Sequence, residues 1–148
     1  MSASVPGLYR RILLVVDLTA DSAVVAERAV AVAAVCSAEL ALLHVVEYVP
    51  AEPMGESLLP AAAMEQELVA NATPQLEALA TRLGVGAEAC RVETGNTKAE
   101  IIRVAAELHA DLVVLGSRER HGLSILVNLT EDTVLHAAPC DVLAVRLR

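Results

Sequence analysis

Arg11-Ile-Leu-Leu-Val-Val-Asp17 is a short run of Leu and β-branched residues that stops at an acid and a turn-forming Leu-Thr-Ala-Asp. Apolar at successive positions and too short for a buried helix, it reads as a strand covered on both faces, the kind found inside parallel sheets. The period then changes. Asp21 or Ser22 can cap a helix running to about Ser37, in which Val25, Ala29, Val32, Ala33 and Cys36 recur at three- and four-residue spacing. Glu39-Leu-Ala-Leu-Leu-His-Val-Val46 repeats the buried-strand pattern.

Outward from that unit the same alternation continues. Residues 47–60 hold three prolines, Gly55 and several polar side chains, so they read as a long surface loop. A helix is predicted from near Ala61 to Leu83, kinked or split at Pro74, which lacks an amide to donate and clashes with the preceding turn. Ala87 to Glu93 reads as a weaker strand at a sheet edge, because its apolar residues alternate with Glu88, Arg91 and Glu93. Thr97-Lys-Ala-Glu100 matches a capping box opening a helix to about His109. Asp111 to Gly116 is a third strongly apolar strand, Ser117 to Leu123 a polar loop, Ile125 to His136 mostly helical, and Asp141 to Leu147 the last strand. Five strands alternating with four helical segments predict an α/β fold, a five-stranded parallel sheet with helices on both faces. Ligands of such sheets bind beyond the strands' carboxyl ends, where strand order reverses. If the first and fourth strands are neighbours there, Asp17 and Gly116 share that crevice.

The totals narrow the function classes. At 148 residues the chain is expected to be a single domain spanning 1–148. Its 55% hydrophobic share comes from Ala, Val and Leu, without Trp or Phe, which suits helices packed closely on an aliphatic sheet. Charges such as Asp17, Glu27 and Glu39 interrupt every apolar run before the ~20 residues needed to span a bilayer. No secretory signal pattern is seen, so the cytoplasm is the expected location. Cys36, Cys90 and Cys140 are odd in number and lack CxxC spacing, which predicts buried thiols rather than disulfides or a zinc site. A net charge of −8, with Lys98 the only lysine, argues against nucleic acid and against an anionic membrane surface. Arg118 and Arg120 form a local patch able to touch an anion.

Catalytic patterns are sparse. Asp17 stands where a ribose hydroxyl or a phosphate-borne metal would lie, and equally where an Asp caps its own turn. His44, among apolar neighbours, reads as a satisfied core histidine; His109, His121 and His136 have no metal-ligand spacing. Gly116-Ser-Arg-Glu119 is not the GxSxG elbow of an esterase. A receiver-type phosphoacceptor would need an Asp where Glu93 stands and a lysine after the last strand; a flavin carrier would need more aromatics than Tyr9 and Tyr48.

Ile12-Leu-Leu-Val-Val-Asp17, Leu42-Leu-His-Val45, Ala110-Asp-Leu-Val-Val-Leu-Gly-Ser117 and His136-Ala-Ala-Pro-Cys-Asp-Val-Leu-Ala-Val145 together resemble the universal stress protein family over the whole chain. The resemblance implies a Rossmann-like, adenine nucleotide alpha hydrolase-like sheet and a homodimer paired through the last strand, 141–147. Many members bind ATP through G-x-x-G, nine residues, then G-[ST]. Here Gly116 fits the first glycine, Glu119 stands at the second, Leu129 at the third, and Thr130 keeps the final hydroxyl. Glu131 and Asp132 then occupy the first turn of the helix whose amino terminus would attract the anion. The expected function is a non-enzymatic regulatory dimer of a degenerate subgroup that needs no cofactor and acts through a protein partner. The alternative is an ATP-binding sensor with at most slow ATPase activity, contacting nucleotide through Asp17, Val45, Gly116 and Thr130.

Overall fold

The computed structural model describes residues 4–47, 61–118, 134 and 136–147. β1 (Arg11–Val15), β2 (Glu39–Val46), β3 (Cys90–Thr94), β4 (Leu112–Arg118) and β5 (Asp141–Leu147) form one parallel sheet in the order β3-β2-β1-β4-β5. α1 (Ser22–Cys36), α2 (Ala61–Leu83) and α3 (Thr97–Glu107) connect them. Because successive side chains of a strand face opposite ways, the sheet serves two cores. Ile12, Leu14 and Val16 pack with α1 and α2 through Val25, Ala29, Leu76 and Leu79. Leu13 packs on the other face with Ile101 and Val104 of α3 and with Val134.

Strand order therefore reverses between β1 and β4, as the crevice argument requires. The predicted edge position of the third strand is also observed, but its first residues are not extended: Ala87–Ala89 form a 3-10 turn and β3 begins at Cys90. β4 runs two residues further than expected, so Ser117 and Arg118 are strand residues laddered to Arg146 and Leu147 rather than loop. The predicted loop 47–60 and most of the helix expected over 125–136 lie outside the described residues.

One helix prediction needs correction and another is narrowed. Asn96, not Thr97, caps α3: its side chain accepts from the Ala99 amide at 3.1 Å. The Thr97 hydroxyl instead donates to Glu47 at 2.8 Å, and Glu100 pairs with Arg103, so the capping box is not made. α2 is not split at Pro74 but runs through it as one element. The Thr73 hydroxyl donates to the Val69 carbonyl at 2.7 Å and the Gln75 amide to the Asn71 carbonyl at 3.1 Å, so side chains bind carbonyls on both sides of the Ala70 carbonyl that proline leaves without its usual donor. Gly84, at φ +76°, supplies the left-handed residue that ends α2. Of the thiols, only Cys36 is buried; Cys90 and Cys140 are half-buried, a departure from the expected three buried groups. Among the described residues no helix is long and apolar enough to cross a membrane.

Replacing Pro74 by Ala restores the missing helical donor and removes the ring clash. Pro74→Ala is expected to raise the unfolding free energy by about 1 to 3 kcal/mol, read from urea midpoints at constant slope.

Candidate functional site

The reversal of strand order places the candidate site at the turn after β1 and the carboxyl ends of β2 and β4. β1 stops at Val15, and the chain turns through Leu18, a non-glycine residue at φ +60°. A left-handed leucine is costly, and Asp17 is what holds it. Asp17 Oδ1 accepts from the Thr19 amide at 3.0 Å, the Thr19 hydroxyl at 2.7 Å and the Ser22 hydroxyl at 3.0 Å. These bonds tie β1 to the first residue of α1, whose Asp21 N-cap makes no side-chain capping bond of its own. Burial pushes the Asp17 carboxyl up, but the Thr19 hydroxyl and amide and the Ser22 hydroxyl together outweigh it and hold the group below its ordinary value.

Gly116 lies inside β4, paired with Val145 of β5. It is not one of the glycines at positive φ, which are Gly7, Gly84 and Gly95. Its lack of a side chain has a packing cause: a Cβ there would stand 2.8 Å from Leu147 Cδ1 and 3.2 Å from Val25 Cγ2. The space beside this backbone is already filled by β5 and α1.

Val45 is 9% exposed and belongs to the core on the α3 face, with Leu43 and Leu115. Its side chain is committed to packing. Next to it His44 donates through Nδ1 to the Val16 carbonyl at 2.8 Å, the satisfied core role expected of it, and this fixes the ring tautomer. Thr130, with Glu119, Leu129, Glu131 and Asp132, lies outside the described residues. The structure thus sets Asp17, just past β1, and Gly116 of the neighbouring β4 at the reversal point and turns Val45 into the core on the α3 face. Thr19, Ser22, Val25 and Leu147 complete the arrangement. The short Asp17, Thr19 and Ser22 spacing is a readable turn signal, whereas Leu147 reaches Gly116 only through the β4–β5 ladder.

A doubly wound parallel sheet with an acid-anchored turn at its reversal point defines the class: an α/β protein with a five-stranded parallel sheet. The sequence profile of the universal stress protein family matches residues 8–146. Universal stress protein A homolog 1 from Coxiella burnetii is 36% identical over 141 residues, covering 95% of this chain and 98% of the relative. Universal stress protein A homolog 2 from the same organism is 32% identical over 142 residues, covering 95% and 97%. Among solved structures, universal stress protein UspA from Lactobacillus plantarum superimposes with a TM-score of 0.72 at 24% identity, covering 93% of this chain and 98% of that one. The chain belongs to the universal stress protein family.

Asp17→Ala removes three hydrogen bonds to a carboxylate and should cost about 1 to 2 kcal/mol at neutral pH. The folded-state pKa is depressed, so this stabilisation is present above the ordinary carboxylate value of about 4 and is lost as pH falls through the lower folded-state value. Urea midpoints of wild type and variant should converge on acidification through that window; a constant gap would rule out the charge as the cause. Gly116→Ala should cost about 1 to 3 kcal/mol by overpacking, with Leu147 able to yield and the branched Val25 not.

Proposed function

We propose that this protein is a non-enzymatic, cytoplasmic, single-domain stress protein that works as a homodimer on protein partners and binds ATP weakly or not at all. The observation that carries the reading is the filled space at Gly116. The glycine that a nucleotide-binding relative would use for close approach of a phosphate is used here for contact with Leu147 and Val25. The carboxylate at the same crevice supports it, since Asp17 Oδ1 is engaged by Thr19 and Ser22.

Sequence points the same way. Against the family's motif Glu119 and Leu129 stand in place of two further glycines, and Glu131 and Asp132 add negative charge next to them in the sequence. A carboxylate ~5 Å from a phosphate charge at an effective dielectric of ~20 costs roughly 3 kcal/mol before screening, or about a hundredfold in affinity. Arg118 and Arg120 offset part of that cost.

Self-association is favoured at β5. It is the terminal strand of the sheet, with β4 on one side only, and Val142, Leu143 and Val145 make it apolar. A free apolar edge is a pairing template. The opposite edge is charged: Arg91 and Glu93 of β3 join Arg103, Glu100 and Glu107 of α3 in ion pairs of 2.6 to 3.2 Å.

Calorimetric titration with Mg-ATP in modest salt is expected to give no saturable heat in the micromolar range. Micromolar binding would overturn the reading in favour of a nucleotide sensor, and Asp17→Ala should then weaken it. Light scattering at micromolar concentration should report twice the chain mass.

A further inference from the structure

We propose that the segment before β1, residues 5–9, is part of the surface on which two copies of this chain meet, with Leu8 covered by the second copy. The inference rests on the β5 pairing proposed above and assigns to it a component outside the strand.

The segment is not a loose tail. The Val5 amide donates to the Val35 carbonyl at 3.0 Å and the Gly7 amide to the Cys36 carbonyl at 3.2 Å, which ties it to the end of α1. The Tyr9 hydroxyl donates to Asp141 Oδ2 at 2.9 Å, which ties it to the first residue of β5. Held at both places, it still turns apolar side chains outward: Leu8 is 62% exposed and Val5 48%, beside Val35 at 39%. Beside them lies a groove of about 590 Å³ between α1 and β5, with Tyr9, Val32 and Leu143 in its wall. The patch is therefore continuous with the β5 edge.

Area selects the second copy as its occupant. A seven-residue strand is ~23 Å long. Taken ~10 Å wide, it covers about 230 Å² per copy, far short of the 600 to 800 Å² per partner typical of a specific interface. The remaining contact has to come from surface flanking β5. On the α1 side that surface is the segment 5–9, with Val5 and Leu8 exposed, and the groove, whose wall is apolar except at Asp141. Antiparallel pairing about a two-fold axis sets the carboxyl end of one β5 against the amino end of the other. Leu147 of the second copy then approaches the Tyr9 and Leu143 groove from the same sheet face, because odd-numbered residues of β5 share the α1 side.

The test uses the full chain, followed by light scattering and sedimentation across a dilution series. Leu8→Asp is expected to raise the dimer dissociation constant at least about tenfold, since a two-fold interface carries the change twice. Its thermal midpoint at concentrations where wild type is monomeric should be unchanged, because Leu8 is exposed within one copy. Leu68→Asp, an equally drastic change on exposed α2, should dimerise as wild type does. A wild-type dissociation constant for Leu8→Asp overturns the inference and leaves β5 pairing intact. A wild-type chain that stays monomeric throughout overturns both. If Leu8→Asp fails to fold, Leu8→Ser carries the same comparison with the same two readings.

Discussion

Burial of β1 on both faces is the constraint from which the rest of the molecule follows. Ile12, Leu13 and Leu14 are 1%, 1% and 0% exposed, so neither side of the strand can meet water. A strand in that position needs a neighbour on each edge and helices above and below, and β2, β4, α1 and α3 supply them. The cluster with α1 and α2 and the cluster with α3 are then two sides of one choice of register. Slipping the pairing by a residue would turn Leu13 and Leu14 to the wrong cores. The amino end of the strand is pinned as well. The amides of Arg10 and Arg11 donate to Asp111 Oδ2, which holds that carboxyl below its ordinary value, and the Asp111 amide donates back to the Arg11 carbonyl at 2.8 Å.

At the other end the same strand delivers Asp17 to the point where the sheet reverses. The surroundings of that acid are those of a structural anchor: three donors on one oxygen, a strained Leu18 beside it, and α1 beginning at Ser22. Gly116 on the neighbouring strand has a packing role of equal weight. Both residues have a local physical reason for their identity that involves no nucleotide. A motif match at these positions therefore cannot separate a binding site from a fold requirement, and the discriminating residues are those that follow β4 in the sequence. There Glu119, Leu129, Glu131 and Asp132 depart from the pattern.

Much of this was legible in the sequence because it depends on local pattern. The buried strands β1 and β2, the last strand β5 and the α1 face are carried by local pattern alone, and β2 and β5 begin and end at the residues expected of them. What was hidden depends on partners far along the chain. Thr97 looks like a cap next to Asn96, but Glu47, fifty positions earlier, takes its hydroxyl. Ser117 and Arg118 look like loop by composition, yet the last residues of β5 offer them a ladder. Tyr9 and Asp141 meet across 132 positions. At Pro74 the sequence left a kink or a split open, and the helix is not split: Leu76, Leu79 and Ala80 bury the turns that follow it against the sheet.

The two edges of the sheet show how one chain handles exposed backbone in opposite ways. At β3, Arg91 and Glu93 point to α3 and share Glu107, Glu100 and Arg103. With side chains a fifth to a half exposed, each such pair contributes little stability, on the order of 0 to 1 kcal/mol. Their effect is steric and electrostatic: a strand edge set with inward charges is a poor template for another apolar strand, because pairing would have to desolvate them. β5 carries no such guard along Val142 to Val145. An apolar edge of that kind is a template for pairing, and in a chain of net charge −8 long-range attraction between like copies cannot drive such pairing. Apolar contact is what this edge offers, in Val142, Leu143 and Val145 and in Val5 and Leu8 of the surface that adjoins it.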